Sequence, residues 1–233
     1  MEKTPKEGAA VHQLADTLTQ TILFHSIPAE IIEAQILPHG FLQSYAKDQF
    51  LIVPQQQVDR FGVVISGKIH IQHLFTNGTC RLMRTVSERE ILGADLICTK
   101  TRISPYHAAA ASPVQIFSLP AAMLNTPGFL EEPIRLELLN RLLLLISQEN
   151  MKKEYRLAIL SQNRLRDRIL TYLTMQANRQ NRTTFTIPFT REELASFLCV
   201  NRSALSHELS LLQQEGVISF RKNEFTLHRP GEL

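Results

Sequence analysis

Cysteine is scarce in this chain of 233 residues, which contains three. Cys80, Cys98 and Cys199 lie far apart and form no C-x-x-C pair, so the spacing predicts neither a disulfide framework nor a cysteine-ligated metal site. A reducing compartment fits this pattern. We therefore expect a protein without a bound structural metal.

Long apolar runs are also missing. Arg141 interrupts the richest run, "LLNRLLLLI", which is shorter than the about 18 residues that indicate a membrane helix. The first ten residues, "MEKTPKEGAA", lack the apolar core of a signal peptide. We find no internal repeat and no low-complexity segment. With 44% apolar and 20% charged residues, the chain has the composition of a globular protein of about two domains, expected in the cytoplasm and away from membranes.

Formal charge is distributed unevenly along the chain. Residues 163–233 contain 10 Lys and Arg against 7 Asp and Glu, whereas residues 1–162 contain 15 of each class. The whole formal excess of +3 therefore lies in the last third of the chain. An excess of this size is small for a nucleic-acid-binding protein, so the placement of the basic groups matters more than their number.

The segment "FTREELASFLCV" predicts a helix with a strong start signal. Thr190 is a good N-cap, and Glu193, three residues later, completes a capping box. Leu194 and Leu198 repeat at the spacing of one helix face. A tight turn at Cys199-Val200 then leads to Asn201, which is a favourable N-cap for a second helix.

The second helix, in "VNRSALSHEL" and the residues that follow, has two unlike faces. Leu205, Leu209 and Leu212 repeat at helical spacing and predict a buried stripe. Gly216 is a suitable residue to end the helix. Taken alone, the polar side is also compatible with the solvated face of an ordinary helix. The polar side and its flanks carry Arg202, Ser203, Ser206, His207 and Ser210.

Short apolar or alternating runs surround these two helices. "VISF" and "FTLH" are separated by "RKNE", which predicts a hairpin with Arg221 and Lys222 near its tip. "TTFTIPF" alternates as a third strand. The pattern indicates a winged helix-turn-helix, whose second helix fits the major groove of double-stranded DNA. The DNA-binding residues we predict are Thr190, Asn201, Arg202, Ser203, Ser206, His207, Arg221 and Lys222.

From about Phe41 to Leu119 the pattern changes to short strands with turn signals, which predicts an all-β barrel or roll. Gly67 marks a bend and Asn77-Gly78 a hairpin turn. Residues 11–37 predict short helices broken by Pro28 and Pro38. The apolar residues expected to share one side of the strands are Phe61, Val63, Ile65, Ile69 and Ile71.

The segment from Phe129 to about Leu160 predicts one long helix with Pro133 in its first turn. Its leucines follow a heptad pattern typical of a two-stranded seam, and Leu138, Leu142 and Leu145 widen the stripe towards the β domain. A helix buried wholly within one subunit remains the alternative. The predicted dimer contacts are Leu136, Leu139, Leu143, Ile146, Asn150, Lys153 and Leu157, with Leu160 continuing the pattern.

The order of β-roll, long helix and winged helix resembles bacterial regulators of the cyclic-AMP receptor protein and fumarate-nitrate regulator (Crp/Fnr) family over nearly the whole chain. "LCVNRSALSHELSLLQQEGVISFRKNEFTL" resembles that family's helix-turn-helix and wing. "ISGKI" and "GTCRLMRTV" resemble its effector-domain strands, and "NRLRDRILTYL" resembles its first helix after the hinge.

This resemblance implies an α+β protein of three parts. A cyclic-nucleotide-binding-like β-roll (double-stranded β-helix) with N-terminal helices would occupy residues 1–128, a dimerisation helix and hinge residues 129–162, and a winged helix-turn-helix residues 163–233. The family likeness also implies a homodimer on a two-fold symmetric site in double-stranded DNA. It implies control of transcription, through RNA polymerase if the protein is an activator.

Two positions of the DNA-reading helix depart from the family pattern. The family usually carries an acidic residue at the place of Ser203 and an arginine at that of His207, while Arg202 matches its cyclic-AMP-type members. Arginine grips guanine with two donors, whereas histidine offers one and changes charge near physiological pH. We hypothesise that Arg202 makes the principal contact, to a base or to a phosphate, that Ser206 anchors nearby and that His207 reads a base with pH-sensitive strength.

The family's nucleotide-binding residues are incompletely matched. Cyclic-nucleotide binders carry a Gly-Glu pair for the ribose and an Arg-Ser or Arg-Thr pair for the phosphate. Here Ala94 follows Gly93, and Asp95 replaces the glutamate only after a register shift. Ile103 follows Arg102, so the next hydroxyl is one position too late. Cyclic AMP is therefore not the expected effector.

A different small-molecule effector, unidentified from the sequence, is expected instead. The family's redox sensors use an N-terminal cysteine cluster, and no cysteine precedes Cys80, so no iron–sulfur cluster is predicted. Arg102, Ser104, Tyr106 and His107 would line a pocket for a different anion, and the alternative is that these four polar residues belong to an ordinary surface loop. The candidate effector-binding residues are Gly93, Asp95, Arg102, Ser104, Tyr106 and His107.

Two other functions are compatible with parts of the pattern. β-rolls share their architecture with cupin metalloenzymes, but His70 and His73 are three apart on a strand and face opposite sides, so they cannot share a metal without a bulge. We therefore predict no catalytic residues, no metal site and no enzyme. The other alternative keeps DNA binding but makes the β domain a vestigial dimer scaffold.

Overall fold

The computed structural model describes residues 5–75 and 80–228, and the side chains of residues 11–75 and 81–228. The chain forms two compact units that divide between Gln148 and Glu149, and each unit is described by itself. The hairpin turn predicted at Asn77-Gly78 lies outside the described residues. The domain boundaries predicted at residues 128 and 162 stay predictions.

The first unit begins with helices that differ from the prediction. Helix α1 (Pro5–Thr19) starts earlier than residue 11 and runs without a break for 15 residues. Pro28 is the N-cap of the short α2 (Ala29–Ile31), as expected of a residue that cannot continue a helix. A π-helical turn (Ile32–Ile36) and a 3₁₀ turn (Leu37–His39) follow, and Pro38 lies within the latter.

Within the described residues, eight strands form the β-roll, which confirms the predicted all-β domain. One antiparallel sheet has the order β1-β8-β3-β6 and the other the order β2-β7-β4-β5. Apolar residues from both sheets pack between them, and Val64, Ile69 and Ile116 belong to this inner core. The strands are β1 (Phe41–Tyr45), β2 (Phe50–Ile52), β3 (Arg60–Ser66), β4 (Ile69–Leu74), β5 (Cys80–Val86), β6 (Ile91–Leu92), β7 (His107–Ala110) and β8 (Val114–Pro120).

Gly67 forms the corner at which the chain passes from one sheet to the other. Its φ of +89° is left-handed, and an added Cβ would lie 2.2 Å from the Pro113 carbonyl oxygen, so only glycine fits. The predicted common side is therefore wrong: Phe61 and Val63 pack outward against the helices, whereas Ile69 joins the inner core. The alternation of side chains assigns residues to the two sides of a single strand, but it does not carry over to the next strand where the chain changes sheet.

The outer core of the first unit joins helices to the sheet that contains β3. It includes the short α4 (Ala122–Asn125) and the first half of α5 (Glu132–Leu160), while α3 (Ala94–Ile97) follows β6. Leu138 and Leu142 are buried there and Leu145 is partly buried, which confirms that the N-terminal half of α5 packs on the β domain. The long helix itself is confirmed, with Pro133 in its first turn.

The second unit is the predicted winged helix. Its helices pack on an antiparallel sheet of order β10-β11-β9. The helices are α6 (Leu165–Gln180), α7 (Arg191–Phe197) and α8 (Arg202–Gln214). The strands are β9 (Thr184–Thr186), β10 (Ile218–Arg221) and β11 (Glu224–Leu227). Leu205, Leu209 and Leu212 have no exposed surface, which confirms the apolar stripe of α8. Among the described helices, none combines the length and apolar content that crossing a membrane requires.

Candidate nucleic-acid interface and effector region

The outward face of α8 is built from its first residue onward. The Asn201 side chain accepts the Ala204 N–H at 2.7 Å, as an N-cap does, and the Ser203 hydroxyl donates to the same Asn201 oxygen at 2.9 Å. Arg202 and His207 are exposed beyond this cap. Because the apolar stripe is fully buried, the polar face of α8 has to point away from the core of the second unit.

Helix α7 begins with the predicted capping box. The Thr190 hydroxyl accepts the Glu193 N–H at 3.3 Å, and the Glu193 carboxylate accepts the Thr190 N–H at 2.7 Å. The hydroxyl hydrogen of Thr190 is not used in either bond and is available to donate to an acceptor such as a phosphate. Across the turn, Glu192 and Arg202 lie 4.0 Å apart, an exposed and loose ion pair.

The wing presents its predicted cations at the surface, since Arg221 and Lys222 are both exposed. Arg191, which sequence reasoning missed, connects the wing to α7 by donating to the Lys222 carbonyl at 2.8 Å. Its guanidinium also lies over the rings of Phe220 and Phe225, at 4.9 and 5.2 Å. Burial lowers the pKa of Arg191. The sequence shows only an arginine near the start of a helix, without the distance to the wing.

A second missed arginine connects the two ends of the module. Arg166 of α6 donates to both carboxylate oxygens of Glu215, the residue that follows α8. The Arg166 guanidinium also lies 3.8 Å from the carboxylate of Glu208, which belongs to α8. The bidentate bond lowers the pKa of Glu215 and raises that of Arg166. Helix α8 is thereby restrained against α6 at its C-terminal end as well as packed along its apolar stripe.

The predicted effector residues converge only in part. The Tyr106 hydroxyl donates to Asp95 at 3.0 Å, and the Ser104 hydroxyl donates to the Tyr106 carbonyl at 2.8 Å. Tyr106 and Ser104 are buried. Burial raises the pKa of Tyr106 well above its usual range, and the Asp95 carboxylate raises it further. The polar groups of these three residues therefore bind one another.

The other predicted effector residues lie apart from this cluster. Arg102 has a left-handed φ of 54° and lies 3.5 Å from Asp59, while the His107 ring packs on Phe50. Gly93, with φ +83°, is the backbone N-cap of α3. These three residues occupy separate surroundings. Backbone hydrogen bonds join the loop between α3 and β7 to residues 55–58, as between the Val58 N–H and the Arg102 carbonyl.

Arg84 of β5 was not predicted and belongs with Asp95 and Tyr106. The guanidinium of Arg84 interacts with the Tyr106 hydroxyl, and this interaction opposes the rise in the pKa of Tyr106. Arg84 pairs across the ladder with the buried Ile71 and is itself half-buried. The available signal was an arginine two residues before the buried Val86, on the side of the strand that faces the core.

The predicted dimer residues of α5 fall into two groups. Leu136, Leu143 and Leu157 are 49%, 65% and 63% exposed, and Asn150 and Lys153 are exposed as well. Leu139 and Ile146 are instead half-buried against the outer core of the first unit. Leu139 and Ile146 therefore pack within the chain, although they also lie at predicted seam positions. Both are true because the apolar stripe of α5 is wider than one contact surface.

Metal ligands are not gathered in the part of the chain that the structure describes. No group of three or more His, Cys, Asp or Glu side chains there is close enough to hold an ion. His70 and His73 lie in β4 opposite Thr85 and Arg81, with an irregularity of register between Ile71 and Gln72. Both histidines are half-buried.

Two family models match this chain, one in each part. Residues 163–233 match the Crp-like helix-turn-helix domain. Residues 42–126 match the cyclic nucleotide-binding domain. The global nitrogen regulator of Synechococcus elongatus is 20% identical over 198 residues, which cover 82% of this chain and 87% of that protein.

Solved structures show the same fold. CprK in complex with OCPA is similar with a TM-score of 0.64 and 19% identity, over 88% of this chain and 94% of that one. The c-di-GMP responsive global regulator CLP of Xanthomonas campestris is similar with a TM-score of 0.60 and 16% identity, over 86% and 99% of the two chains.

Proposed function

Because the chain belongs to the Crp/Fnr family of DNA-binding transcriptional regulators, we propose that it acts as a homodimer on a two-fold symmetric operator. We propose further that a small molecule controls its activity. The observation that carries the proposal is the outward face of α8, which is exposed, polar and fixed at both ends. A DNA partner would also place the protein in the cytoplasm.

The DNA contact follows from the geometry of the second unit. An α-helix fits the major groove, and α8 would enter it with Arg202, Ser203, Ser206 and His207 towards the bases and phosphates. Thr190 at the start of α7 and the cations Arg221 and Lys222 of the wing would reach the flanking backbone. Arg191 is not part of this contact; it positions the wing through the Lys222 carbonyl.

Selection of bound duplexes from a random DNA pool tests the proposal. We expect enrichment of an inverted repeat whose half-sites lie about one helical turn apart, since two copies of α8 would read one face of the duplex. Adding cell extract should change the yield or the affinity if an effector is needed. Recovery of unrelated sequences in both conditions would contradict sequence-specific regulation.

Self-association is supported by the exposed leucines of α5. Leu136, Leu143 and Leu157 leave apolar surface in the single chain, and residues 136, 143, 150 and 157 share one heptad position. Asn150 would place a polar group in the seam, a device that fixes register at some cost in stability. If the protein activates transcription, the dimer would also present a surface to RNA polymerase.

For the effector, we propose an unidentified small molecule other than cyclic AMP, without an iron–sulfur cluster. Ala94 offers no carboxylate to a ribose, and Ser104 is buried with its hydroxyl bonded to Tyr106. Millimolar cyclic AMP should therefore leave both the melting temperature and operator binding unchanged. A micromolar affinity in calorimetry would contradict this proposal.

The vestigial-sensor alternative is favoured by one observation, the internal hydrogen bonds of Asp95, Ser104 and Tyr106. In that case the β-roll serves as a dimer scaffold and DNA binding is constitutive. A thermal-shift screen of metabolites separates the two functions, because only a sensing domain is stabilised by its ligand. Equal operator affinity with and without every stabilising compound would favour the scaffold.

A further inference from the structure

The first unit contains a cavity of about 340 Å³ that shares no residue with the predicted effector positions. Gln43 and Tyr45 of β1, Arg60 of β3 and Ser118 of β8 contribute polar groups to its wall. Aliphatic residues such as Ile52 form much of the remaining wall, which also includes Gln56, Gln57, Asp59 and Phe61. A volume of this size lies at the lower end of the about 300–1,000 Å³ typical of small-molecule sites.

Gly62 helps to open this space. It lies in β3 opposite Ser118, and an added Cβ would come within 2.4 Å of the Ile116 side chain. Any larger residue would therefore push Ile116 from its position or enter the cavity. Because side chains alternate along a strand, Arg60, Gly62 and Val64 share one side of β3, and Arg60 stands at the end of that row.

Arg60 has neutral partners only, among the residues that the structure describes. Its Nη2 donates to the Ser118 carbonyl at 3.1 Å and to the His39 carbonyl at 3.3 Å, and its guanidinium lies 4.4 Å from the centre of the Phe41 ring. Its Nε is buried and has no hydrogen-bond acceptor in the described part of the chain.

A partly buried guanidinium without a carboxylate partner favours an anion nearby, and burial lowers the pKa of Arg60, as expected of an uncompensated cation. Asp59, the acidic residue on the cavity wall, is largely exposed and lies 3.5 Å from Arg102, so it does not neutralise Arg60. The Gln43 side chain already accepts the Ser118 hydroxyl at 3.1 Å, which orients both groups at the wall.

The geometry points to a binding site for a small organic carboxylate, held by Arg60 at the polar end and by the aliphatic wall along its apolar body. Arginine suits this role because its planar fork matches a carboxylate. Aliphatic residues such as Ile52, Leu92 and Ile116 would cover the apolar part of the ligand. This site shares no residue with the predicted effector positions or with the predicted DNA-binding residues.

Calorimetric titration of the purified full chain tests the site with two probe pairs, hexanoate against hexanamide and benzoate against benzamide. Each pair has nearly one shape and differs in charge. We expect both carboxylates to bind and the amides to bind at least about tenfold more weakly, since bonds to a charged group are worth more than neutral ones. Equal binding of acid and amide, or no binding of either acid at millimolar concentration, overturns the proposal.

Three variants locate the bound probe. Arg60→Gln should weaken hexanoate by about tenfold or more, and Arg60→Lys by less, because lysine keeps the charge but loses the fork. Arg89→Gln is the matched control, because Arg89 is an exposed arginine of the same unit that does not line the cavity, and it should leave affinity unchanged. If circular dichroism shows that Arg60→Gln does not fold, Arg60→Lys replaces it as the test. Unchanged affinity of Arg60→Lys for hexanoate then refutes the site. A loss of affinity confined to Arg89→Gln refutes it too.

Discussion

Arg202 and His207 stand at exposed positions of α8, the helix that the Asn201 side chain caps. Replacing Arg202 by alanine should weaken operator binding at least about tenfold, because one good arginine contact to guanine contributes about 1–3 kcal/mol. Replacing His207 by arginine should shift the selected half-site towards guanine. Gel-shift titration and a second random-pool selection measure the two effects.

The matched control for these variants is Arg179→Ala, which removes an exposed arginine from the last turn of α6. It should change affinity less than Arg202→Ala does. If the two alanine variants bind equally well, or if His207→Arg selects the wild-type half-site, the outward face of α8 reads DNA through other residues.

Cys199 occupies the turn between α7 and α8 with a φ of 58°. Left-handed backbone costs a non-glycine residue about 1–2 kcal/mol of stability. Glycine avoids this cost, but it loses more conformational freedom on folding, which offsets part of the gain. Cys199→Gly should therefore raise the free energy of unfolding of the second unit by about 0.5–1 kcal/mol. Urea denaturation followed by circular dichroism measures the change.

Cys199→Ala separates this backbone effect from loss of the thiol. Alanine keeps a Cβ and so keeps the strain, and it should be no more stable than the wild type. Should both variants gain the same stability, the left-handed turn is not the cause.

At the scale of elements, α1 is attached to the π-helical turn through a titratable pair. His12 Nδ1 lies 2.6 Å from a Glu33 carboxylate oxygen, and its Nε2 lies 3.7 Å from Asp16. The hydrogen bond to Glu33 and the charge of Asp16 raise the pKa of His12. Protonated His12 therefore contributes to stability fully below the ordinary histidine pKa, and the contribution is lost as pH rises through the raised value.

We expect the melting temperature of the wild type to exceed that of His12→Gln at pH 6 and to approach it by pH 8. The effect should be small, since His12 is exposed. Scanning calorimetry at constant ionic strength measures it. Glu33→Gln removes the main partner and should reduce the pH-dependent part of the difference, while Asp16 retains the remainder. An unchanged difference in that background would contradict the pairing.

For the whole molecule, we predict that the exposed leucines of α5 determine self-association. Leu143 is 65% exposed, so Leu143→Asp leaves the packing within one chain largely intact but would put two carboxylates into a dimer seam. We expect mostly monomers and greatly weakened operator binding. Light scattering at micromolar protein and gel-shift titration measure the two consequences.

Gln148→Asp is the control for assembly, since it adds the same charge at another exposed position of α5. It should remain dimeric. Ile146→Asp is less informative than Leu143→Asp, because Ile146 is half-buried against the outer core and its loss would also destabilise the first unit. A Leu143→Asp protein that stays dimeric would remove the seam from the dimer interface.

Local sequence patterns determined most of the elements of this protein. The Thr190 capping box, the Asn201 cap, the stripe of Leu205, Leu209 and Leu212 and the run of short strands depend on residues a few positions apart. Such interactions are set by helix and strand periodicity, which is why the winged helix, the β-roll and α5 were predictable.

Tertiary structure alone decided which distant side chains meet. Arg84, Asp95 and Tyr106 come together, and Arg60 faces a cavity beside Gly62, only because strands far apart in sequence pair in a particular register. The change of sheet at Gly67 likewise separated apolar residues of one parity into two cores. Periodicity assigns a residue to a face of its own element, whereas the pairing of elements determines what that face meets.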